Sequence, residues 1–129
     1  LHITFNGREI ELSFGLRTLT TIDRSLGLEV ENVSLGQGLE TMLVPGLQSG
    51  NIICLYKLIQ AATAHDKKKP TTDSDFESIL NDIAENDGLE EFAQQVMYEL
   101  GKQPMTRKLV PEEFQEEKGT KRMSMQKED

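Results

Sequence analysis

LHITFNGREIELSF, residues 1–14, decides the fold class. Leu1, Ile3 and Phe5 alternate with polar residues, the period-two pattern of a strand with one covered face. Asn6-Gly7 supplies two residues that tolerate positive φ, as a two-residue hairpin turn requires. That loop length sets Phe5 opposite Arg8, Ile3 opposite Ile10 and Leu1 opposite Leu12. Opposed residues share a face, so Ile10 and Leu12 join Leu1, Ile3 and Phe5 on one apolar side, which Phe14 extends. A lone hairpin is marginal in water, so other elements must cover that side.

Beyond the hairpin the chain reads as helices. After Gly15, residues Leu16, Leu19, Ile22 and Leu26 recur at helical spacing, with Gly27 placed as a left-handed stop. Leu28, Val30 and Val33 form a connection. Ser34-x-x-Gln37 reads as a capping box opening a second helix with the stripe Leu35, Leu39, Met42 and Leu43, which Pro45-Gly46 should bend or end. Ser49-Gly50-Asn51 is a turn with Asn51 as the N-cap of a third helix over 52–66. Ile52, Leu55, Tyr56 and Ile59 form one stripe there, and Ile53, Leu58, Ala61, Ala62 and Ala64 add apolar groups on other faces. Polar residues are confined to Lys57, Gln60 and Thr63, so most sides of this helix should be packed. Lys67, Lys68 and Lys69, with His65, are expected at its C-terminal end, where the helix dipole favours cations, and Pro70 stops it.

Ser74-x-x-Glu77 reads as the capping box of a fourth helix with Phe76, Ile79, Leu80 and Ile83 inward, broken at Asn86-Asp87-Gly88. Leu89, Phe92, Ala93, Val96, Met97 and Leu100 then keep the spacing of a fifth, ended by Gly101 and Pro104. Residues 111–129 contain ten charged residues and no Leu, Ile or Val. Such a segment buries too little apolar area to offset the entropy of ordering it. The expected architecture is α+β: an N-terminal β-hairpin packed on about five helices in one domain, residues 1–110, followed by a flexible charged tail, residues 111–129.

The chain of 129 residues has a net charge of −8 and 36% hydrophobic residues, with no Trp. The core is therefore aliphatic. An acidic balance disfavours a phosphate backbone as partner, since nucleic-acid binding rests on Lys and Arg. No apolar run approaches the ~20 residues of a membrane span, and no basic-then-apolar leader is visible.

Few residues stand at the spacings that chemistry requires. Cys54 is the only cysteine and lies in the most apolar segment, where a buried, inert thiol is the simplest reading. His2 and His65 do not stand at ligand spacing with it. Gly36 and Gly38 lack the third glycine and the lysine of phosphate loops. Asp73/Asp75 and Asp82/Glu85 lack the ligand ladder of a calcium loop and read as surface charge. The Ser and Thr residues sit mostly at caps and turns. No catalytic residue, metal ligand or cofactor is assigned, and no enzymatic activity is expected.

The order of elements carries a resemblance. LHITFNGREIELSFGL (1–16) leads to TTIDRSLGLEVENVSLGQGLE (20–40), then to LQSGNIICLYKLIQAATAHDKKKPTTDSDFESILND (47–82) and GLEEFAQQVMYELGKQPMTRK (88–108). The Asn-Gly hairpin with its trailing Phe14-Gly15-Leu16, the pair Ile22-Asp23, the run Leu55 to His65 with the following Lys69-Pro70-Thr71, and the closing helix ahead of Pro104-x-Thr106-Arg107 stand in the order seen in one family. The chain resembles, over about residues 1–110, the tail assembly chaperones of long-tailed phages and prophages of Gram-positive bacteria.

That resemblance implies a non-enzymatic role in the host bacterial cytoplasm. Members bind the tape measure protein, keep its helical apolar segments soluble and promote tail tube polymerisation around it. They are absent from the mature virion and commonly self-associate. A longer frameshifted form recruits the tail tube protein. The residues are compatible with such work. The stripe Leu89, Phe92, Val96, Met97 and Leu100 is the candidate partner-binding surface, as in helix-in-groove recognition, and the hairpin edges offer strand addition between copies. Partners expected are the tape measure protein, the tube protein and further copies, with neither nucleic acid nor membrane. The rival reading is a small acidic adaptor or inhibitor that binds a host protein, which a salt-sensitive complex with a basic protein would favour.

Overall fold

The computed structural model describes residues 1–27 and 43–115. Strands β1 (His2–Phe5) and β2 (Arg8–Glu11) pair antiparallel with Ile3 opposite Ile10 and Phe5 opposite Arg8. The turn is Asn6 at φ 52 and Gly7 at φ 77, as a two-residue connection demands. The ladder continues where Leu12 N–H donates to Leu1 C=O at 2.9 Å. Ile3, Phe5, Ile10 and Leu12 are buried, so the hairpin has the one apolar side its alternation requires.

Five α-helices stand among the described residues: α1 (Leu16–Gly27), α2 (Val44–Gln48), α3 (Ile52–Ala62), α4 (Asp73–Asn86) and α5 (Leu89–Lys102). Two 3-10 turns come after them, at Arg107–Leu109 and Glu112–Phe114. The fold class is α+β. Helix α1 packs on α3, α2 on α5, and α4 against β1. Helix α3 is central, with Leu55, Leu58, Ile59 and Ala62 sealed from solvent. Truncating such a leucine to alanine typically costs about 2–5 kcal/mol.

The hairpin is fastened to the far end of α3. Ser13 N–H donates to Ala62 C=O at 3.0 Å, His65 Nε2–H donates to Glu11 C=O at 2.8 Å, and Arg8 Nη2 donates to both Asp66 carboxylate oxygens at 3.2 Å. The Asp66 carboxylate also accepts from Lys68 N–H, which together with Arg8 holds it below the usual carboxylate range.

Several expectations are corrected. Helix α3 ends at Ala62 rather than near 66, because Thr63 takes the C-cap and its hydroxyl donates to Ile59 C=O. Lys67, Lys68 and Lys69 therefore stand in the linker to α4, not on the last turn of α3, and His65 bonds the hairpin instead of the helix end. The capping box of α4 is Thr72-x-x-Asp75, not Ser74-x-x-Glu77: Thr72 Oγ1 accepts from Asp75 N–H while Asp75 accepts from Thr72 N–H. Pro45 lies in the first turn of α2 and so opens a helix rather than ending one, because a first-turn residue needs no N–H partner. The predicted helix from Ser34 through Leu39 to Met42 lies outside the described residues. Leu16 and Ile52, expected on inward stripes, are exposed; each opens its helix beyond the reach of the core. Helix α5 ends at Lys102, one residue beyond Gly101, as the glycine leads one to expect.

Candidate partner-binding surface

Helix α5 begins after Gly88, whose φ of 92 only glycine adopts readily and which lets the chain reverse directly out of α4. Glu90 and Glu91 sit in its first turn, where the helix dipole favours anions. Of the stripe expected to meet partners, Phe92, Val96, Met97 and Leu100 are buried and Leu89 is half-buried against the core. The stripe is thus the wall that α5 turns to α2 and to the chain beyond Thr106, not an open face.

The outer cover of that wall comes from residues 107–115. Thr106 Oγ1 donates a short hydrogen bond to Leu100 C=O, and the Arg107 guanidinium donates to Gly101 C=O and Lys102 C=O, each at 3.3 Å. These bonds satisfy the carbonyls a helix end leaves free. Beyond Val110 the chain crosses Gly101 so closely that a Cβ built there would lie 1.8 Å from Phe114 O. Phe114 is buried and stacks edge-on against Tyr98 at 4.7 Å between ring centres. Composition assigns residues 111–115 to the tail; in the structure they form a 3-10 turn seated on α5. Residues 116–129 lie outside the described residues.

Large apolar side chains remain in contact with water at other places: Leu16 at 70%, Ile53 at 57% and Met105 at 57% exposed, with Ile52 and Tyr98 about half so. Periodicity could not find these, since it averages over a helix and says nothing of where a helix outruns its neighbours. No Lys or Arg lies between Lys69 and Lys102, so every charged side chain on α4, and on α5 before its last residue Lys102, is acidic. The concave surface between the α2–α3 turn and the α4–α5 turn is accordingly rimmed by Asp87, Glu90 and Glu91.

The reactive groups are held quiet. Cys54 is buried and its Sγ–H donates to Leu43 C=O at 3.5 Å; burial pushes the thiol up to about 11. His2 and His65 face separate partners, Glu9 and the Glu11 carbonyl. Among the described residues, no group of three His, Cys, Asp or Glu side chains is placed to hold a metal ion, and no helix is long and apolar enough to cross a membrane.

Compared with known families, the chain matches the model of the phage tail assembly chaperone protein, TAC, over residues 2–114. The protein belongs to that family. No curated protein and no solved structure matches it. As a phage tail assembly chaperone it serves assembly, and the match marks which parts belong to the family's pattern. It takes in the hairpin and all five helices, and it ends on Phe114, the residue that closes over Gly101. The strap from Pro111 to Phe114 therefore lies within the matched extent of the chaperone rather than outside it as an appendage.

Proposed function

We propose that this chaperone binds the tape measure protein of its phage tail, keeps that protein's helical apolar segments soluble, and promotes polymerisation of tail tube subunits around it. The observation that carries the reading is the family match over residues 2–114. The uncovered apolar side chains of Leu16, Ile52, Ile53, Tyr98 and Met105 support it, since a holding protein needs such surface left over after it folds. The role consumes no substrate. Its place is the host bacterial cytoplasm during assembly and not the finished virion. A longer frameshifted product recruits the tube protein, and copies of the chain self-associate.

Co-expression tests this. The tape measure protein of the same phage is produced with and without the chain, and the soluble fraction is measured. The expected result is a tape measure protein that is soluble only with the chain and co-purifies with it. Equal solubility in both cultures would overturn the proposal.

A further inference from the structure

We propose that the surface of α5 around Tyr98 and Gly101 is a docking groove for an apolar side chain of a partner helix, and that Phe114 of the same chain occupies it as a displaceable internal ligand. The inference rests on the tape-measure reading and names the surface and the chemistry it recognises.

The fastening of the strap is unequal. Up to Arg107 it is stitched to the end of α5 by hydrogen bonds from Thr106 and Arg107. Beyond Val110 the bonds turn inward: Phe114 N–H donates to Pro111 C=O, Gln115 N–H to Glu112 C=O, and Gln115 Nε2 to Val110 C=O. Among the described residues, no hydrogen bond or ion pair joins residues 111–115 to α5. Phe114 is held by packing, with its ring on Tyr98 and its backbone over Gly101. Such contact is non-directional, so a ring or branched chain from another polypeptide can replace it.

The groove has a definite shape. The missing side chain at Gly101 makes the space through which the strap backbone passes, and an adjacent cavity lined by Leu47 and Met97 opens beside Phe114. Its present occupant is a helical turn, so a partner helix presents a side chain in similar fashion. Glu113 of the strap and Glu90 of α5 both line one cavity, so its rim is acidic. A partner with Lys or Arg at the position of Glu113 brings a positive charge to that acidic rim. The recognised chemistry is therefore an apolar helix edge with a cationic flank. Displacing the strap uncovers Met97 of the stripe that the sequence marks for partner binding.

The test uses the full chain, its Phe114→Ala variant, and two labelled peptides: residues 109–115, LVPEEFQ, and the same peptide with Glu113→Lys. Removing the internal competitor raises apparent affinity by the fraction it occupied. Fluorescence anisotropy should show the native peptide binding Phe114→Ala at least roughly tenfold more tightly than the parent. The Lys peptide should bind more tightly still, with an advantage that shrinks as salt rises. Equal binding to parent and variant, or binding to neither, would overturn the proposal. A second variant, Gly101→Ala, keeps Phe114 but places a Cβ under its carbonyl. Amide hydrogen exchange should then show protection lost at 112–115 and kept in α5; unchanged protection at 112–115, or loss throughout α5, counts against a displaceable strap. Solubility of the tape measure protein with the unaltered chain reports on the broader function, so either result can fail without the other.

Discussion

The sulfur of Cys54 fills the space beside Gly46: a Cβ built on Gly46 would lie 2.7 Å from Sγ and 3.0 Å from the Cys54 Cβ. This contact locks the short helix α2 against the first turn of α3. Both flanking residues of the lock, Leu47 and Leu55, are buried, so neither side has room to yield.

Gly46→Ala is therefore expected to destabilise the fold by about 1–3 kcal/mol, the range for forcing a methyl group into a packed core. The urea midpoint checks this. The double variant Gly46→Ala with Cys54→Gly should recover part of the loss, since it removes the atoms that the new methyl group meets. A Gly46→Ala chain as stable as its parent would mean that α2 shifts freely on α3.

Asn51 accepts from Ile53 N–H at 2.9 Å and from Cys54 N–H at 3.0 Å, satisfying two of the donors that the start of α3 leaves free. Asn51→Ala should cost about 1 kcal/mol, and Asn51→Asp should be nearly neutral because it keeps the acceptor. Thermal denaturation of the three proteins distinguishes the cap from a general loss of packing.

Acid should weaken the junction before α4. The Asp75 carboxylate accepts from Thr71 N–H and Thr72 N–H, which hold it below its ordinary value, and Asp66 is lowered by Lys68 N–H and Arg8. A carboxyl lowered in the folded state adds stability that is present above its unfolded pKa, about 3.9, and is lost as pH falls through the lower folded value. The gap in urea midpoint between the parent and Asp75→Asn should be widest at neutral pH and should narrow as pH falls through the lowered folded value. A gap that is the same at neutral pH and in strong acid would refute this assignment.

Cys54 behaves in the opposite sense. Burial raises its thiol to about 11, so the folded chain keeps the proton that the unfolded chain releases near about 8.5. The stability this contributes is complete below the unfolded value and disappears as pH rises toward about 11. An aromatic disulfide reagent at about pH 8 should react slowly with the native protein and at once in urea, because only the thiolate attacks. Rapid native-state labelling would show that the α2–α3 contact opens often.

What the sequence makes legible here is local chemistry. Asn6-Gly7, the alternation around it and the cap at Asn51 act through neighbouring bonds, and the hairpin register and the start of α3 result from them. Both Thr72-x-x-Asp75 and Ser74-x-x-Glu77 satisfy the same capping rule, and only the path of the linker that carries Asp66 and the buried Pro70 selects the first. Gly101 reads as a helix end because a glycine near Pro104 commonly is one. Its true use, clearance for a strand of chain thirteen residues further on, depends on tertiary contact that no periodicity encodes. The stripe of α5 is readable as apolar, but whether such a face meets core or partner is decided by tertiary packing against α2 and the chain beyond Thr106, which no spacing encodes.

The clasp between the hairpin and the region after α3 sets a timetable for synthesis. Its three ties span from Arg8 to Asp66, from Glu11 to His65 and from Ser13 to Ala62. At about 5–20 residues per second, several seconds pass between the ribosome's release of the two halves. Through that interval Ile3, Phe5, Ile10 and Leu12 lack α4, the helix that packs on β1. The nascent hairpin thus waits, apolar side uncovered, for the chain that follows α3.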